Sequence, residues 1–516
     1  MFAFLACAPP EGGESADSAA PAEEPTGPCA ALHVEPVATW DEEEVPITAQ
    51  TGTTWPGVAV GDVTGDGRPD LVGAFPGGTV LFRNEADGWA AAPLPLGGDA
   101  ARAVRAVALA DLDGDGDLDG FFGGELGLPS WIGTNDGAGN FSVQEIAGYT
   151  HRVWTGAFGD FDGDGRVDLF TATYDAELDL DAILAGARGA GQALVVQTDT
   201  GWALAEGAVP AVTGEALSLQ GAPVDFDADG DLDVYLANDF GPYAVPNRML
   251  VNDGAGRFSV GEGLGCELSV YAMGAGVGDA DGDGSPDLFV TDVGPPHLLL
   301  NDGAGGYADA TLATGAHVAP TATNMTSWGA VFADLDQDTW DDVLVAYGGL
   351  GDAVDVAALE NADPTWTDDK LQHSLLLRNT EGSFARDDTA FTDLARARGV
   401  IVADLTLDGR PDVVTFGKVF LHVFETTGGC EPGVTVRLRG PVGNAHGFGA
   451  RVDAVVGGRR STRWMLPSST AGQSALEVYV GSANHPTVDL EVTWPDGGVV
   501  VVPDVPAGAV VDVEPP

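Results

Sequence analysis

The stretch Asp160-Phe161-Asp162-Gly163-Asp164-Gly165-Arg166-Val167-Asp168-Leu169 decides the fold, because the chain repeats its pattern seven times. Oxygen-bearing side chains stand at positions 1, 3, 5 and 9 of each copy, and glycine usually stands at position 6. We number the copies loops 1 to 7 by their first residues, which are Asp62, Asp111, Asp160, Asp225, Asp279, Asp334 and Asp404. A repeat of this kind predicts a repeated structural unit.

The loop chemistry predicts calcium binding. Ca²⁺ takes about 6–8 oxygen ligands at roughly 2.3–2.6 Å, so a short loop of alternating carboxylates suits it. Glycine at position 6 lets the chain turn through positive φ around the ion, and position 7 then offers its backbone carbonyl. We therefore expect up to seven Ca²⁺ ions as the cofactor.

The predicted ligands are the side chains at positions 1, 3, 5 and 9 and the carbonyl at position 7. They are Asp62, Thr64, Asp66, Arg68 and Asp70; Asp111, Asp113, Asp115, Asp117 and Asp119; Asp160, Asp162, Asp164, Arg166 and Asp168; Asp225, Asp227, Asp229, Asp231 and Asp233; Asp279, Asp281, Asp283, Ser285 and Asp287; Asp334, Asp336, Asp338, Trp340 and Asp342; and Asp404, Thr406, Asp408, Arg410 and Asp412. Thr64 and Thr406 replace aspartate at position 3, and Thr339 replaces glycine at position 6. Weaker calcium binding is expected at loops 1, 6 and 7.

Two other interpretations of the loops fit the sequence less well. An EF-hand needs a bidentate glutamate at position 12, and none of the residues there is acidic: Gly73, Phe122, Thr171, Leu236, Val290, Val345 and Thr415. Aspartate and glycine are also common in ordinary surface turns. Without a cation, the carboxylates within each of the seven loops would repel one another strongly, which favours calcium binding over plain acidic turns.

The segments around each loop are typical of β-strands. Val107–Ala110 precedes loop 2 and Leu169–Thr173 follows position 9 of loop 3, and both are short apolar runs bounded by turn residues. Asn-Asp-Gly strings such as Asn252-Asp253-Gly254 then indicate hairpins. Three to four strands in each of seven units predict an all-β fold, a seven-bladed β-propeller, with loops on its faces at the insertions 175–192 and 352–373.

Composition narrows the function. The 516 residues include 79 acidic and 22 basic side chains, giving a formal net charge of −57. Nucleic-acid binding needs a basic surface, and anionic lipid surfaces would repel this chain, so neither is an expected partner. A hydrophobic content of 44% with periodic apolar residues indicates a folded chain.

The last part of the chain has a different pattern. After residue 430 the acidic loops stop, while alternating strands continue at 434–438, 451–456, 488–494 and 499–502. This predicts a small C-terminal β-sandwich-like domain at 430–516.

At this point two family resemblances can be given. The repeats resemble FG-GAP/VCBS repeats, the blades of integrin-α-type propellers, which implies a cation in each inter-strand loop. Asn444–Arg451 and Trp494-Pro495-Asp496-Gly497 resemble the ASPIC/UnbV domain. Asn238-Asp239-Phe240-Gly241-Pro242, followed by Asn247-Arg248, is similar to a string in cartilage-acidic-protein-like members.

The first residues resemble the end of a bacterial lipoprotein signal, with Leu5-Ala6 before Cys7. Residues 8–28 have linker composition. The predicted domains are therefore 1–29 as signal-like start and linker, 30–429 as propeller and 430–516 as C-terminal domain. A lipid anchor at Cys7 is the only expected contact with a membrane. Without Cys7, the cysteines Cys29, Cys266 and Cys430 allow at most one disulfide, and Cys29 with Cys430 is one pairing, since both flank the repeats.

No catalytic motif was found. The eight histidines are scattered, with no HExxH, and no nucleophile elbow, Walker A loop or Rossmann fingerprint is present. His446 is expected to be structural, and Trp55, Trp154 and Trp328 are expected to pack between blades. No catalytic residue is predicted.

The leading hypothesis is a secreted or surface-tethered monomer, including a lipoprotein at an outer membrane. Structural Ca²⁺ would rigidify the blades so that loops present a binding or adhesion surface to a protein or glycan. The alternative is an extracellular hydrolase or lyase acting on polysaccharide, with a site on a propeller face. A third hypothesis, that the protein is a periplasmic partner in assembly or maturation, is suggested only by the C-terminal resemblance.

Overall fold

The computed structural model describes residues 29–40, 56–75, 78–97, 104–175, 183, 189, 191–211, 216–317, 326–349, 372–387, 389–391, 397–417 and 420–516. Strands make up 52% of the structure and helices 1%, which confirms the predicted all-β class. A one-turn helix, α1, spans Thr311–Thr314. No helix in the described ranges is long and apolar enough to cross a membrane.

Sheets with four antiparallel strands, built from an inner strand outward, form the large domain, and two short C-terminal strands extend the first of them by pairing parallel with its inner strand. Sheets 1 to 3 contain β2 (Gly57–Gly61), β3 (Asp70–Phe75), β4 (Gly78–Glu85) and β5 (Gly88–Pro93); β6 (Val104–Ala110), β7 (Asp119–Gly124), β8 (Trp131–Asn135) and β9 (Phe141–Glu145); and β10 (Val153–Gly159), β11 (Asp168–Thr173), β12 (Ala193–Thr198) and β13 (Gly201–Leu204).

Sheets 4 to 6 repeat this order. They contain β14 (Leu217–Val224), β15 (Asp233–Asp239), β16 (Arg248–Asn252) and β17 (Phe258–Val260); β18 (Ala272–Gly278), β19 (Asp287–Asp292), β20 (His297–Asn301) and β21 (Tyr307–Asp309); and β22 (Ser327–Ala333), β23 (Asp342–Tyr347), β24 (Leu375–Thr380) and β25 (Ser383–Asp387).

Sheet 7 is closed by the N-terminal strand. It contains β26 (Gly399–Ala403), β27 (Asp412–Gly417) and β28 (Phe420–Thr427), and β1 (His33–Trp40) pairs antiparallel with β28 as its outer strand. A disulfide joins Cys29 to Cys430 beside this pairing, whereas Cys266 is a buried free thiol. The suggested cysteine pairing therefore occurs.

The inner strands form a ring. Each of β2, β6, β10, β14, β18, β22 and β26 contacts the next, and β26 contacts β2. Apolar side chains fill the spaces between neighbouring sheets, as Phe121 and Leu169 do between sheets 2 and 3. The predicted propeller fold is confirmed. Seven sheets lie in the described residues, while the blade number of the whole chain stays a prediction.

The C-terminal domain consists of two further sheets around an apolar core. One contains β29 (Val434–Leu438), β34 (Val478–Val480) and β37 (Val510–Val513), and the other contains β30 (Arg451–Val456), β31 (Arg459–Trp464), β35 (Thr487–Thr493) and β36 (Val499–Pro506). Alternate residues of these strands point inward, including Val436, Val452 and Leu490.

A hairpin of the C-terminal domain enters the centre of the propeller. Its strands are β32 (Ser468–Ser469) and β33 (Gly472–Gln473), and we call residues 467–475 the axial hairpin. Together β32 and β33 contact all seven inner strands. The side chain of Gln473 accepts a hydrogen bond from the backbone N–H of Leu109 at 2.8 Å and donates to its carbonyl at 2.9 Å.

Further polar contacts anchor the axial hairpin on the other side of the ring. Thr470 Oγ1 donates to Gln220 Oε1 at 2.6 Å, and Ser469 Oγ donates to the carbonyl of Val400 at 2.9 Å. The backbone N–H of Val58 donates to the carbonyl of Ala471 at 3.0 Å. The hairpin therefore fills the axis and ties the C-terminal domain to the ring.

The contacts of the axial hairpin predict that one substitution lowers the stability of the protein while a nearby substitution does not. Gln473→Ala removes two buried hydrogen bonds and leaves the Leu109 amide unpaired, so the free energy of unfolding should fall by about 1–3 kcal/mol. Ser468→Ala is the matched control, because Ser468 Oγ is buried without a hydrogen-bond partner among the described residues. Thermal and urea unfolding of both variants measure the difference. Equal stability of the two variants would contradict the anchoring role.

Candidate metal centre

All seven loops lie where an inner strand passes into the second strand of its sheet. In sheet 3, β10 ends at Gly159 and β11 begins at Asp168, and the other six sheets repeat this arrangement. Position 9 is therefore always the first residue of the second strand. We call the end of the ring that carries the loops the loop face, and every predicted ligand residue lies on it.

Five loops bring three carboxylates together. In each, one oxygen of every carboxylate lies within 4.8 Å of the others: Asp111, Asp113 and Asp115; Asp160, Asp162 and Asp168; Asp225, Asp227 and Asp229; Asp279, Asp281 and Asp287; and Asp334, Asp336 and Asp338. These are loops 2 to 6. Such a separation allows several oxygens to contact one cation.

Loop 4 fits a hard cation best. Asp225 Oδ1, Asp227 Oδ1 and Asp233 Oδ2 are all buried without a hydrogen-bond partner in the described residues. They belong to positions 1, 3 and 9. Buried acceptors normally have partners, and a cation ligated by the unpaired oxygens of this loop would supply them. Asp279 Oδ1 in loop 5 is unpaired in the same way.

Loops 1 and 7 are arranged differently at position 3. The hydroxyl of Thr64 donates to Asp70 Oδ2 at 2.9 Å, and that of Thr406 donates to Asp412 Oδ2 at 3.1 Å. Each threonine thus pairs the position-9 carboxylate internally. Within the described part of the chain, neither loop gathers three carboxylates, which is consistent with the expected weaker binding; that expectation stays a prediction.

Burial and mutual repulsion raise the pKa of four buried carboxyls in loops 3, 4 and 5. Burial is the largest cause for Asp168, Asp233 and Asp287, and neighbouring aspartates add to it, so that each pKa lies at about 8. The same causes raise the pKa of Asp279 to about 7. Without a cation, these carboxyls hold protons near neutral pH, and a bound cation would favour the deprotonated form.

Each position-9 carboxylate also connects the strands of its sheet. Its Oδ1 accepts a hydrogen bond of 2.7–3.1 Å from a backbone N–H on the third strand of the same sheet, which is β28 in sheet 7. The donors are Asn84, Asn135, Gln197, Asn252, Asn301, Asn379 and Thr426.

Six of these residues also link neighbouring sheets through their side-chain amides. Asn252, for example, donates to the carbonyl of Phe161 in loop 3 at 2.8 Å. Equivalent hydrogen bonds are donated to backbone carbonyls of loops 7, 1, 2, 4 and 5 by the side chains of Asn84, Asn135, Gln197, Asn301 and Asn379, respectively. Sequence reasoning took the Asn-Asp-Gly strings only as hairpin signals. An amide in the third strand of six repeats was the signal that could have identified these cross-links.

The C-terminal domain covers part of the loop face. His446 Nε2 accepts the backbone N–H of Asp111 at 3.0 Å, and burial lowers the pKa of His446 to about 4. The carbonyl of Gly443 accepts the N–H of Val167 at 2.8 Å, and Tyr479 Oη accepts the N–H of Asp404 at 2.9 Å. His446 therefore has the structural role that was expected.

The opposite end of the ring, which we call the open face, carries polar and aromatic side chains. Glu125 forms ion pairs with Arg105 and Arg152, and Arg105 lies 5.0 Å from the ring of buried Trp154. His151 Nδ1 is 2.6 Å from Asp175 Oδ2.

An aromatic group lies further round the open face. Tyr271 stacks edge-on with Phe240 at 5.6 Å and lies 6.5 Å from Tyr243, which is 52% exposed. The predicted insertions at 175–192 and 352–373 fall largely outside the described residues.

Comparisons with known proteins agree with this architecture. The model described as FG-GAP-like repeat matches residues 62–122, 225–290 and 279–345, so the chain is a β-propeller containing FG-GAP-like repeats. The model described as ASPIC and UnbV matches residues 440–516, and the chain therefore ends in an ASPIC/UnbV domain. The finer likeness to cartilage-acidic-protein-like members stays a prediction.

A search of curated proteins found no match. Among solved structures, an Agrocybe aegerita lectin with specific recognition of non-reducing terminal N-acetylglucosamine is 16% identical. The match covers 72% of this chain and 99% of the lectin chain, with a TM-score of 0.41. Sqt1 of Saccharomyces cerevisiae is 10% identical, with coverage of 76% and 99% and a TM-score of 0.44. YCF48 from Cyanidioschyzon merolae is 12% identical, with coverage of 76% and 99% and a TM-score of 0.39. Likenesses this weak carry no information about a ligand.

The raised pKa values of the loop carboxyls predict that folding stability depends differently on pH with and without calcium. In chelator, the folded pKa of Asp168, Asp233 and Asp287, about 8, lies above the unfolded value of about 4. The folded state then binds more protons, so stability should rise as the pH is lowered from about 8.5 to about 6. With saturating calcium, protons compete for the ligands, so stability should stay level or fall. Thermal melts across this range test the signs, and the same slope under both conditions would contradict calcium ligation.

Proposed function

We propose that the chain is an extracellular or surface-tethered, calcium-loaded β-propeller that binds a protein or glycan through its open face. The FG-GAP-like propeller fold indicates a binding module. The observation that carries the proposal is the contrast between the two faces. The C-terminal domain covers part of the loop face and its hairpin fills the axis, whereas the open face presents charged and aromatic side chains.

Calcium in this proposal is structural. Loops 2 to 5 would hold it through carboxylates at positions 1, 3, 5 and 9, and the unpaired oxygens of Asp225, Asp227 and Asp233 support this. A bound cation neutralises part of the loop charge and fixes the turn between the inner and second strands. Loops of this kind fill where calcium is plentiful, which supports a location outside the cytoplasm.

The disulfide supports the same location. Cys29 and Cys430 join the start of the first described strand to the end of sheet 7. Disulfides persist mainly in oxidising compartments such as the periplasm and the exterior. Together with the lipobox-like Cys7, this supports a secreted or surface-tethered protein.

The ligand surface is proposed on the open face because the aromatic group there is accessible. Tyr243 is exposed, and Tyr271 and Phe240 lie beside it. Aromatic rings with nearby carboxylates suit the apolar faces and hydroxyls of sugars, and equally the side chains of a protein. Asp239 Oδ2 accepts the Tyr174 hydroxyl at 3.2 Å and Asp292 Oδ1 accepts the N–H of Tyr271 at 2.8 Å, which places two carboxylates next to this group.

One observation favours an enzyme as the second candidate. The hydrogen bond that His151 donates to Asp175 raises the pKa of His151, and this pair lies on the open face beside Glu125 and Arg152. A histidine paired with a carboxylate can move protons. A polysaccharide hydrolase or lyase using this pair would lose activity in His151→Asn, whereas a binding module would keep its ligand.

The open-face proposal predicts which substitution abolishes binding. Labelled protein in calcium buffer is applied to a printed panel of extracellular glycans. Tyr243→Ala should reduce retention on the recognised glycans by about tenfold, because it removes the exposed ring of the aromatic group. The control Leu407→Ala removes an exposed apolar side chain from loop 7 on the loop face.

The two variants separate the possible results. Retention that is lost in Tyr243→Ala and kept in Leu407→Ala supports the open face. Equal loss in both variants, or full retention of Tyr243→Ala, would contradict binding through the open face. If wild-type protein is retained on no glycan of the panel, a glycan ligand is contradicted.

A further inference from the structure

Loop 6 is more deeply buried than the other loops. Gln337 and Thr339, at positions 4 and 6, are buried and Asp338 between them is half-buried, whereas positions 4, 5 and 6 of loops 1 to 3 are all exposed. The burial arises because loop 6 lies in the joint with the C-terminal domain. The carbonyl of Asp336 accepts the N–H of Cys430 at 2.7 Å, and Gln337 Oε1 accepts the N–H of Gly433 at 2.9 Å.

Three guanidinium groups surround this loop. Arg463 Nη2 lies 2.6 Å from Asp341 Oδ1 and 3.5 Å from Asp334 Oδ2. Arg378 forms an ion pair with Asp336, at position 3. Arg459 donates to the carbonyl of Thr339 at 2.6 Å and its guanidinium lies 3.5 Å from the centre of the Trp340 ring.

The partners of the carboxylates therefore differ between loops 4 and 6. At positions 1 and 3, loop 4 has unpaired oxygens on Asp225 and Asp227, whereas the equivalent Asp334 and Asp336 face arginines. Asp342 Oδ2 is the single carboxylate oxygen of loop 6 found buried and unpaired in the described residues, against three in loop 4.

Loop 6 also lacks the amide cross-link that reaches the other loops. Sheet 7 carries Thr426 where the other sheets carry asparagine or glutamine, and its backbone N–H makes the carboxylate bond at 2.9 Å. Among the described residues, no side-chain amide from sheet 7 reaches Leu335 of loop 6. The arginines and Gln337 thus hold this loop in place of the amide.

A calcium ion does not fit this arrangement. An ion about 2.3–2.6 Å from the oxygens of Asp334 and Asp336 would lie next to the guanidinium groups that already contact them. Like charges at this distance repel strongly where water is excluded. Arginine, by contrast, supplies both charge and directed hydrogen bonds to a buried carboxylate.

We propose that loop 6 takes no calcium, and that Arg378, Arg459 and Arg463 supply its positive charge instead. Arg459 and Arg463 both lie on β31 of the C-terminal domain. The contacts of β31 with loop 6 are therefore independent of calcium, while loops 2 to 5 depend on it. The contrast between the loops rests on the proposed calcium function.

Hydrogen exchange measured by mass spectrometry tests the contrast in the full chain. Peptides covering 225–233 and 334–342 are followed in calcium and in EGTA. Chelation should speed exchange in loop 4 by about tenfold or more and change loop 6 by less than about twofold. Equal acceleration in both loops would overturn the inference. No bound calcium and no change in either loop would instead contradict the proposed calcium function.

A second measurement, made in EGTA alone, tests the arginines without reference to calcium. Arg463→Gln should speed exchange in 334–342 by about tenfold, because Asp334 and Asp341 lose their buried partner. Arg460→Gln is the matched control on the same strand: Arg460 is 49% exposed and pairs with Asp453 at 3.0 Å, away from loop 6. Should Arg463→Gln fail to fold, Arg378→Gln makes the same test from the propeller side. Unchanged exchange in the arginine variant would overturn the proposal.

Discussion

The buried carboxylate at the first residue of each second strand is the constraint on which the propeller depends. Its Oδ1 receives an N–H from the next strand outward in all seven sheets. In most sheets its Oδ2 accepts from the turn before it, as Asp119 does from Leu112 at 3.0 Å. A buried charge is tolerated only when it is paired and hydrogen-bonded. The proposed calcium would supply such a partner in loops 2 to 5, whereas in loop 6 arginines contact the nearby Asp334, Asp336 and Asp341.

The C-terminal domain makes the two ends of the ring different. The axial hairpin contacts every inner strand, and β1 together with the disulfide closes sheet 7. Side-chain amides then join six loops to their neighbouring sheets. The ring is thus held at its axis, at its closure and between its sheets. Contacts on the open face also join sheets, as the hydrogen bond from Tyr174 to Asp239 does between sheets 3 and 4.

Much of this architecture could be predicted from the sequence, because it follows from repeated motifs and from the alternation of apolar and polar residues. The acidic loops predicted strand, turn and strand around Asp160 and Asp168, and the structure has them at those positions. The alternating segments 434–438 and 451–456 became β29 and β30 without a shift. Both patterns are local, so a single pass along the chain reveals them.

The axial hairpin and the arginines of loop 6 could not be predicted in this way. Ser468–Gln473 is a short polar run whose burial follows only from its position at the centre of the ring. Arg463 is distant from Asp334 in the chain, and Thr339 signalled only a departure from the motif. Both features depend on contacts between the two domains, and one sequence does not encode such contacts as a pattern.

The most direct test of the account is calcium content measured together with thermal stability. Elemental analysis and melts are compared for wild-type protein, Asp227→Asn and Asp231→Asn, each with calcium and with chelator. Both substitutions remove one charge from loop 4, but position 3 is assigned a side-chain ligand and position 7 only a carbonyl. The account predicts several ions per wild-type chain, a marked drop in Tm on chelation, and one ion fewer in Asp227→Asn alone. An unchanged melt with no bound calcium would contradict it.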